Sequence, residues 1–354
     1  MARGPFEIAG HQVKPGSREM VEIPVAKLYT HTPLNIPVEV VHGRRDGPVL
    51  MVCGAIHGDE INGVEIIRRV LNNSTLRHLR GTLVAVPIVN IFGFVQRTRY
   101  LPDRRDLNRC FPGTESGSLG ARIAYLLRTQ IMEKVTHIID LHTGAMHRFN
   151  LPQIRAQLKN PETTRMAEAF GAPIIINSGL RDGSLRAYAD SRDIPVVTFE
   201  GGEALRFDGV VIGSGVKGVM RVMRELEMVP RKKSPKAPKK RSEIAANSQW
   251  VRTDTDGIMR PVAQLGQKVR KGQKLAIVAN PFGESETAIT SPCSGIVICV
   301  NNLPLVNEGE AIYHIARFDE LSEAEKAMDY FRSSFDAETS EAVMPVHPWD
   351  EQSK

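Results

Sequence analysis

With 354 residues, 42% of them hydrophobic and 24% charged, the chain has the composition of a soluble globular protein, and two domains are the first expectation from its length. The formal charge of +6 is local: seven basic residues lie between Arg231 and Arg241, and removing them leaves −1, so no basic surface for nucleic acid is implied. The N-terminus MARGPFEIAG has no apolar secretion signal, no run of about 18 apolar residues could span a membrane, and the four cysteines form no C-x-x-C pair, so a cytoplasmic protein with reduced thiols is expected.

Up to about residue 229, short apolar runs alternate with longer amphipathic ones. PVLMVC (Pro48 to Cys53) reads as a buried strand. Glu60 to Leu71 reads as a helix, with Ile61, Val64, Ile67 and Leu71 on one face. TLVAVPIV (Thr82 to Val89) predicts a strand, Leu119 to Lys134 a helix, and Val135 to Leu141 and Ile194 to Phe199 two further strands. The alternation predicts an α/β fold: a mostly parallel mixed sheet flanked by helices, with sites at the carboxyl ends of its strands. Residues 230–243, PRKKSPKAPKKRS with its flank, read as a solvated linker. Between 244 and 320, short β-type runs separated by Gly, Asn and Pro predict a second, smaller all-β domain. Its segments GQKVRKGQKL and SPCSGIV resemble the barrel-like biotinyl/lipoyl domains, but the corresponding hairpin, ESETAIT (Glu284 to Thr290), has no lysine to carry a prosthetic group. Residues 321–354 are expected to form a terminal helix, over about Ser322 to Arg332, and a loose tail.

The densest chemical signal is GAIHGDEINGVEII, Gly54 to Ile67. His57 and Glu60, three residues apart at a turn, can converge on one point. Alone, H-x-x-E is a common accident. Its placement at a strand end among glycines, and a second strand-end histidine, His142 in DLHTG, make it a candidate zinc site of two imidazoles and one carboxylate. Asp140 lies two residues from His142 on the same strand face, either holding an imidazole, with His57 the preferred partner, or simply buried and hydrogen-bonded. His137 and His147 are read as structural. The arginine-rich stretch Arg97 to Gly113 suits carboxylate recognition, with Asn108 adding a neutral donor beside Arg109. Glu200, at the end of VVTFE and before two glycines, is the natural general base for a metal-activated water; Glu203 is its rival. GSGVKG, Gly213 to Gly218, formally matches a nucleotide-binding pattern but lacks its strand–helix context, and close helix packing explains it better.

GAIHGDE, DLNR followed by F-P-G, DLHTG and the strand-end glutamate together resemble the succinylglutamate desuccinylase/aspartoacylase family of the zinc carboxypeptidase superfamily, over roughly Pro48 to Leu226. The resemblance implies one Zn2+ per chain on His57, Glu60 and His142, Glu200 as the base, Asn108 and Arg109 on the substrate α-carboxylate, and Arg99 polarising the scissile carbonyl. LPDRR, between TRY and DLNR, is longer than in some relatives, leaving Arg104 and Arg105 as rivals to Arg99. Within the family, the added β region is most similar to the deacylases of N-acetylated diamino acids. The expected activity is zinc-dependent hydrolysis of a small N-acyl (acetyl or succinyl) amino acid. The alternative is a zinc carboxypeptidase acting on short peptides. No nucleic acid or membrane partner is expected, and a homo-oligomer is left open.

Overall fold

The computed structural model describes residues 3–231 and 242–339. Most of the basic linker and the C-terminal tail expected from composition lie outside the described residues.

Near the N-terminus, β1 (Phe6–Ile8) and β2 (His11–Val13) form a small hairpin. The strands β3 (Arg18–Lys27), β4 (Pro33–His42), β5 (Arg45–Gly54), β6 (Arg80–Val86), β7 (His137–Gly144), β8 (Arg148–Ala156), β9 (Ile174–Asn177) and β10 (Val196–Glu203) build most of one large sheet. The helices between them are α1 (Asn62–Leu71), α2 (Ile91–Gln96), α3 (Leu119–Gln130), α4 (Pro161–Phe170), α5 (Leu185–Ser191) and α6 (Gly209–Glu225). After the linker come β11 (Glu243–Ala245), β12 (Asn247–Arg252), β13 (Gly257–Pro261), β14 (Lys268–Val269), β15 (Lys274–Ala279), β16 (Glu286–Thr290), β17 (Gly295–Asn301), β18 (Leu305–Val306), β19 (Ala311–Arg317) and the helix α7 (Leu321–Thr339).

The large sheet runs in the order β12-β19-β17-β8-β10-β7-β5-β6-β4-β3. Alternating elements suggested mostly parallel pairing. Along this path the parallel part is confined to β10, β7, β5 and β6. Antiparallel strands extend both sides, because β3 and β4 are joined by a short hairpin connection and β8 returns against β10.

Period-two alternation sorts the central strands between two cores. Leu50, Val52, Ile139, Leu141, Val197 and Phe199 face one core, shared with α1, α4 and α6. Met51, Cys53, Ile138 and Val196 face the other, shared with α3 and α5. Asp140, His142, Thr198 and Glu200 therefore share the second face, and the site is built there. Both faces are held by fully buried apolar side chains; Phe170 and Phe199, stacked at 4.9 Å between centroids, contribute roughly 1.5–3 kcal/mol each by burial.

The GSGVKG segment lies inside α6, where a phosphate-cradling loop is impossible. A Cβ on Gly215 would lie 2.3 Å from Ile66 Cδ1, and one on Gly218 2.1 Å from Phe170 Cε1. These glycines let α6 press against α1 and α4.

Strands beyond residue 242 also belong to the large sheet: β17 pairs with β8, Cys299 opposite Asn150, and β11 pairs with β9. A separate four-stranded sheet, β16-β15-β13-β18, packs with them around Leu275, Val278, Val297 and Tyr313. The segment Glu286–Thr290 is one strand of that sheet, paired antiparallel with β15. Helix α7 starts one residue before the expected helix and continues past it, with Ala324 and Met328 in a core beside Leu151 and Ile298.

Candidate active site

Strand β5 ends at Gly54, and α1 begins only at Asn62, so His57 and Glu60 both sit on the intervening turn. Ala55 takes a left-handed conformation there, with φ +49°. Gly58 is pressed against the start of α2: a Cβ would lie 1.9 Å from the Gly93 carbonyl carbon, so no other residue fits. The Leu205 N–H donates to Asp59 O at 2.8 Å, tying the turn to the end of β10.

Within this frame two imidazoles flank one carboxylate. His57 Nδ1 lies 2.7 Å from Glu60 Oε1, and His142 Nδ1 lies 2.9 Å from Glu60 Oε2, which also accepts from the Thr143 N–H at 3.1 Å. All three side chains are buried. Strand β7 runs past Leu141 to Gly144, so His142 is within paired strand, opposite Glu200 in the parallel register.

The outer nitrogens of both rings meet carboxylates. His142 Nε2 donates to Asp140 Oδ2 at 2.8 Å. The sequence reading preferred His57 as the partner of Asp140; the structure gives it to the neighbouring imidazole, since residues two apart on a strand project from one face. His57 Nε2 instead lies 3.2 Å from Asp106 Oδ1, off-line for a hydrogen bond. Asp106 also accepts from Arg99 Nη2 at 3.0 Å and from the Asn108 N–H at 2.9 Å. Sequence reasoning quoted Asp106 within DLNR but assigned it no role; its position two residues before Asn108, where it caps a short 3-10 turn, was the available signal.

Burial alone would push the Glu60 carboxyl up, but His57 and His142 outweigh it and hold it well below the usual carboxylate range. Burial pulls the His142 imidazole down, and Asp140 and Glu60 overcome this and raise it well above its ordinary value. His57 is raised in the same way, chiefly by Glu60 against its burial. The charge of the buried Glu60 carboxylate is met by the two imidazoles. Nitrogen and oxygen atoms of His57, Glu60 and His142 lie within 4.8 Å of one another, close enough to share an ion with bonds of about 2.0–2.2 Å. The mixed nitrogen–oxygen donor set fits a zinc-type cation, whose binding would displace the imidazole protons.

The surrounding cleft has a volume of about 200 Å³. Arg99 lines it and reaches Glu60 Oε1 at 3.3 Å; its backbone carbonyl accepts from Asn90 Nδ2, and the Asn90 side chain also caps α2. Arg104 and Arg105 are exposed and do not line the cleft; Arg105 pairs with Asp103. Asn108 and Arg109 both line it. The Leu185 N–H donates to Asn108 Oδ1 at 2.9 Å, leaving the amide nitrogen as a donor, while Arg109 Nη1 donates to the Asn108 carbonyl. Glu200 lies across the cleft, its Oε2 accepting from Asn150 Nδ2 at 2.6 Å and its Oε1 3.2 Å from Arg155 Nε. Glu203 points elsewhere, accepting from the His147 N–H and from Asn302 Nδ2. His137 pairs with Glu162 and does not line the cleft.

Several lining residues were missed from sequence. Arg148, Asn150 and Arg155 come from β8, Arg181 and Arg186 from the region of α5, and Trp250 and Cys299 from beyond the linker. Trp250 stacks on His314 with centroids 4.2 Å apart, and the Arg148 guanidinium lies 5.4 Å from its ring centroid. Only the alternation of β8 hinted at Arg155; nothing local marked the others.

A turn-borne His and Glu and a strand-borne His, with a glutamate opposite, gather on one face of an α/β sheet, and the first three form a group that could hold a metal ion. Residues 46–226 match the succinylglutamate desuccinylase/aspartoacylase catalytic domain, and the chain belongs to that family. It is 26% identical over 298 residues to the N-alpha-acetyl-L-2,4-diaminobutyric acid deacetylase of Halomonas elongata, covering 79% of this chain and 85% of that protein. Its fold is shared with a succinylglutamate desuccinylase/aspartoacylase from Rhodobacter sphaeroides (TM-score 0.75, 22% identity, 85% of this chain and 96% of the other). It is shared equally with the product-bound ectoine utilization protein EutE (DoeB) of Ruegeria pomeroyi (TM-score 0.75, 21% identity, 85% and 95%). Among the described residues, no helix is long and apolar enough to cross a membrane.

Proposed function

We propose that this protein hydrolyses the amide bond of a small N-acyl amino acid, with His57, Glu60 and His142 holding one zinc ion. The observation that carries the reading is the Glu60 carboxylate set between two imidazole Nδ1 atoms, 2.7 and 2.9 Å away, with Glu200 across the same cleft. When bound, the ion supplies Lewis acidity, which acidifies water and draws charge from an amide carbonyl. Glu200 takes a proton from the attacking water and returns it to the departing nitrogen. Both of its oxygens are oriented by Asn150 and Arg155, and each keeps a lone pair for the proton. Arg99 donates to the oxygen on which negative charge develops, and Asn108 and Arg109 hold the α-carboxylate. The location of Arg99 in the cleft supports it over Arg104 and Arg105 in this role.

The segments from 244 to 320 are read as a biotinyl/lipoyl-like module following a catalytic unit of residues 1–229, with Trp250 and Cys299 as its contribution to the cleft wall. This wall and the small cleft volume favour acylated amino acids over the peptides a carboxypeptidase would take. The test is a screen of N-acyl amino acids and acyl dipeptides that follows amine release alongside metal content. Chelation is expected to abolish turnover, and E200Q to retain the metal while losing about 100- to 10,000-fold in kcat. Turnover that survives chelation, or an unimpaired E200Q, overturns the assignment.

A further inference from the structure

A second cavity, with a volume of about 720 Å³, is larger than the cleft and lies at the opposite end of the sheet. It opens between the turn before β3, the turn from β4 to β5, and the connection from α1 to β6. Strand β5 begins there at Arg45 and ends at Gly54, just before the turn that carries His57, a span of roughly 30 Å. A molecule held in this cavity therefore touches none of His57, Glu60 and His142.

The frame of the cavity is fixed by hydrogen bonds between its three segments. The Gly16 N–H donates to the His42 carbonyl at 2.7 Å, the His42 N–H to the Ser17 carbonyl at 3.0 Å, and the Gly43 N–H to the Gly81 carbonyl at 2.9 Å. Arg18 Nη1 donates to the Leu71 carbonyl at 2.8 Å, joining β3 to the end of α1. A Cβ on Gly16 would lie 2.6 Å from Arg44 Nε, so the absence of a side chain there lets Arg44 lie along the turn.

The lining is apolar on one side and cationic on the other. Val41, Leu71, Leu76 and Leu79 supply hydrocarbon, and Arg44, Arg45, Arg77 and His78 supply exposed basic groups. No aspartate or glutamate lines the cavity. The acids near it are engaged: Glu39 pairs with Arg18, Asp46 with Arg3, and Glu19 accepts from Ser17 Oγ. Arg44, Arg45 and Arg77 pair with no carboxylate among the described residues. Three guanidinium groups converging without an acid repel one another, and a bound anion would offset that cost. Guanidinium forks match phosphate oxygens, and a diphosphate spreads its charge over enough oxygens to meet several forks at once. The volume falls in the range of small-molecule sites, and a hydrocarbon wall beside a few charged groups is their usual composition.

We infer that this cavity binds a nucleoside diphosphate, with the phosphates on Arg44, Arg45 and Arg77 and the nucleoside against Val41, Leu71, Leu76 and Leu79. The inference is independent of the deacylase reading.

The test is calorimetric titration of the full-length protein with ADP, pyrophosphate and adenosine. It is run on metal-loaded and on metal-free protein, so that withdrawal of an ion is not counted as binding. ADP is expected to bind at one site in both forms, about 10-fold or more tightly than either fragment, and more weakly as ionic strength rises. R44Q/R77Q should weaken ADP binding by about 10- to 100-fold, the range of a charge-assisted hydrogen bond, while the Tm without ligand stays that of wild type. ADP binding that survives R44Q/R77Q places the anion elsewhere, the arginines of the cleft included, and overturns the inference. So does the absence of binding at about 1 mM ADP, or pyrophosphate or adenosine that binds as tightly as ADP. If no N-acyl amino acid is cleaved but ADP binds through Arg44 and Arg77, the deacylase reading fails and this site stands. If amides are cleaved and ADP does not bind, the reverse holds.

Discussion

The carboxylates behind the two imidazoles give the metal assignment its sharpest quantitative consequence. His142 Nε2 donates to Asp140 Oδ2 at 2.8 Å, both groups buried, so the proton is kept on Nε2 and the lone pair of Nδ1 is turned toward Glu60. D140N preserves the size of the side chain and can still accept the hydrogen bond, but it removes the charge that makes the imidazole a strong donor to a cation. Loss of such a partner weakens metal binding by about 10- to 100-fold, or roughly 1.4–2.8 kcal/mol. D106N should act more weakly on His57, whose 3.2 Å contact with Asp106 is off-line for a hydrogen bond. Because both rings meet the one Glu60 carboxylate and would share one ion, the two effects are coupled and should not simply add in the double variant. Zinc competition against a chromophoric chelator at fixed pH measures each affinity, with thermal unfolding of the metal-free proteins as the control for folding. Wild-type affinity in a folded D140N protein refutes the argument, and strict additivity in the double variant refutes the coupling of the two rings.

Three further outcomes follow from packing and burial. G218A places a methyl group 2.1 Å from the Phe170 ring, itself stacked on Phe199; overpacking of about 1–3 kcal/mol exceeds the roughly 1 kcal/mol gained in helix propensity, so Tm should fall. His314 is buried against Trp250, and burial, with a smaller push from Arg155, draws its pKa to about 3. The unfolded chain takes up this proton near pH 6.5 and the folded one only near 3, so the stability it contributes is complete above pH 6.5 and is lost as pH falls through that window. Wild type should lose about 2 kcal/mol more than H314Q between pH 6.5 and 5, measured by denaturant unfolding; parallel pH profiles would show that the folded imidazole is not held neutral. Burial, reinforced by Glu200, pushes the Cys299 thiol up to about 12, so iodoacetamide at pH 8 should leave it unlabelled in native protein and label it in denaturant, as mapped by mass spectrometry.

The local elements were legible because apolar periodicity is a near-neighbour signal. PVLMVC, TLVAVPIV and the runs before DLHTG and after Ile194 all became strands of the central sheet, and the turn between Gly54 and Asn62 carries His57 and Glu60 as the spacing implied. Helix α1 began two residues late because Glu60 belongs to the turn, where its carboxylate meets both imidazoles. The mostly parallel sheet was an overreach: strand direction depends on where each connection returns the chain, and β8 comes back antiparallel beside β10.

By itself, the order of residues singled out the candidate donors His57, Glu60, His142 and Glu200, since the type of donor and its place at a strand end or turn are written locally. Tertiary structure alone decided which partner each received. Asp140 went to His142 and Asp106 to His57; Arg155, Arg186 and Trp250 came to the cleft from separate parts of the chain. Alternation along a strand fixes the face a side chain occupies, but its neighbours on that face come from other strands, brought there by burial of two cores rather than by any short-range pattern.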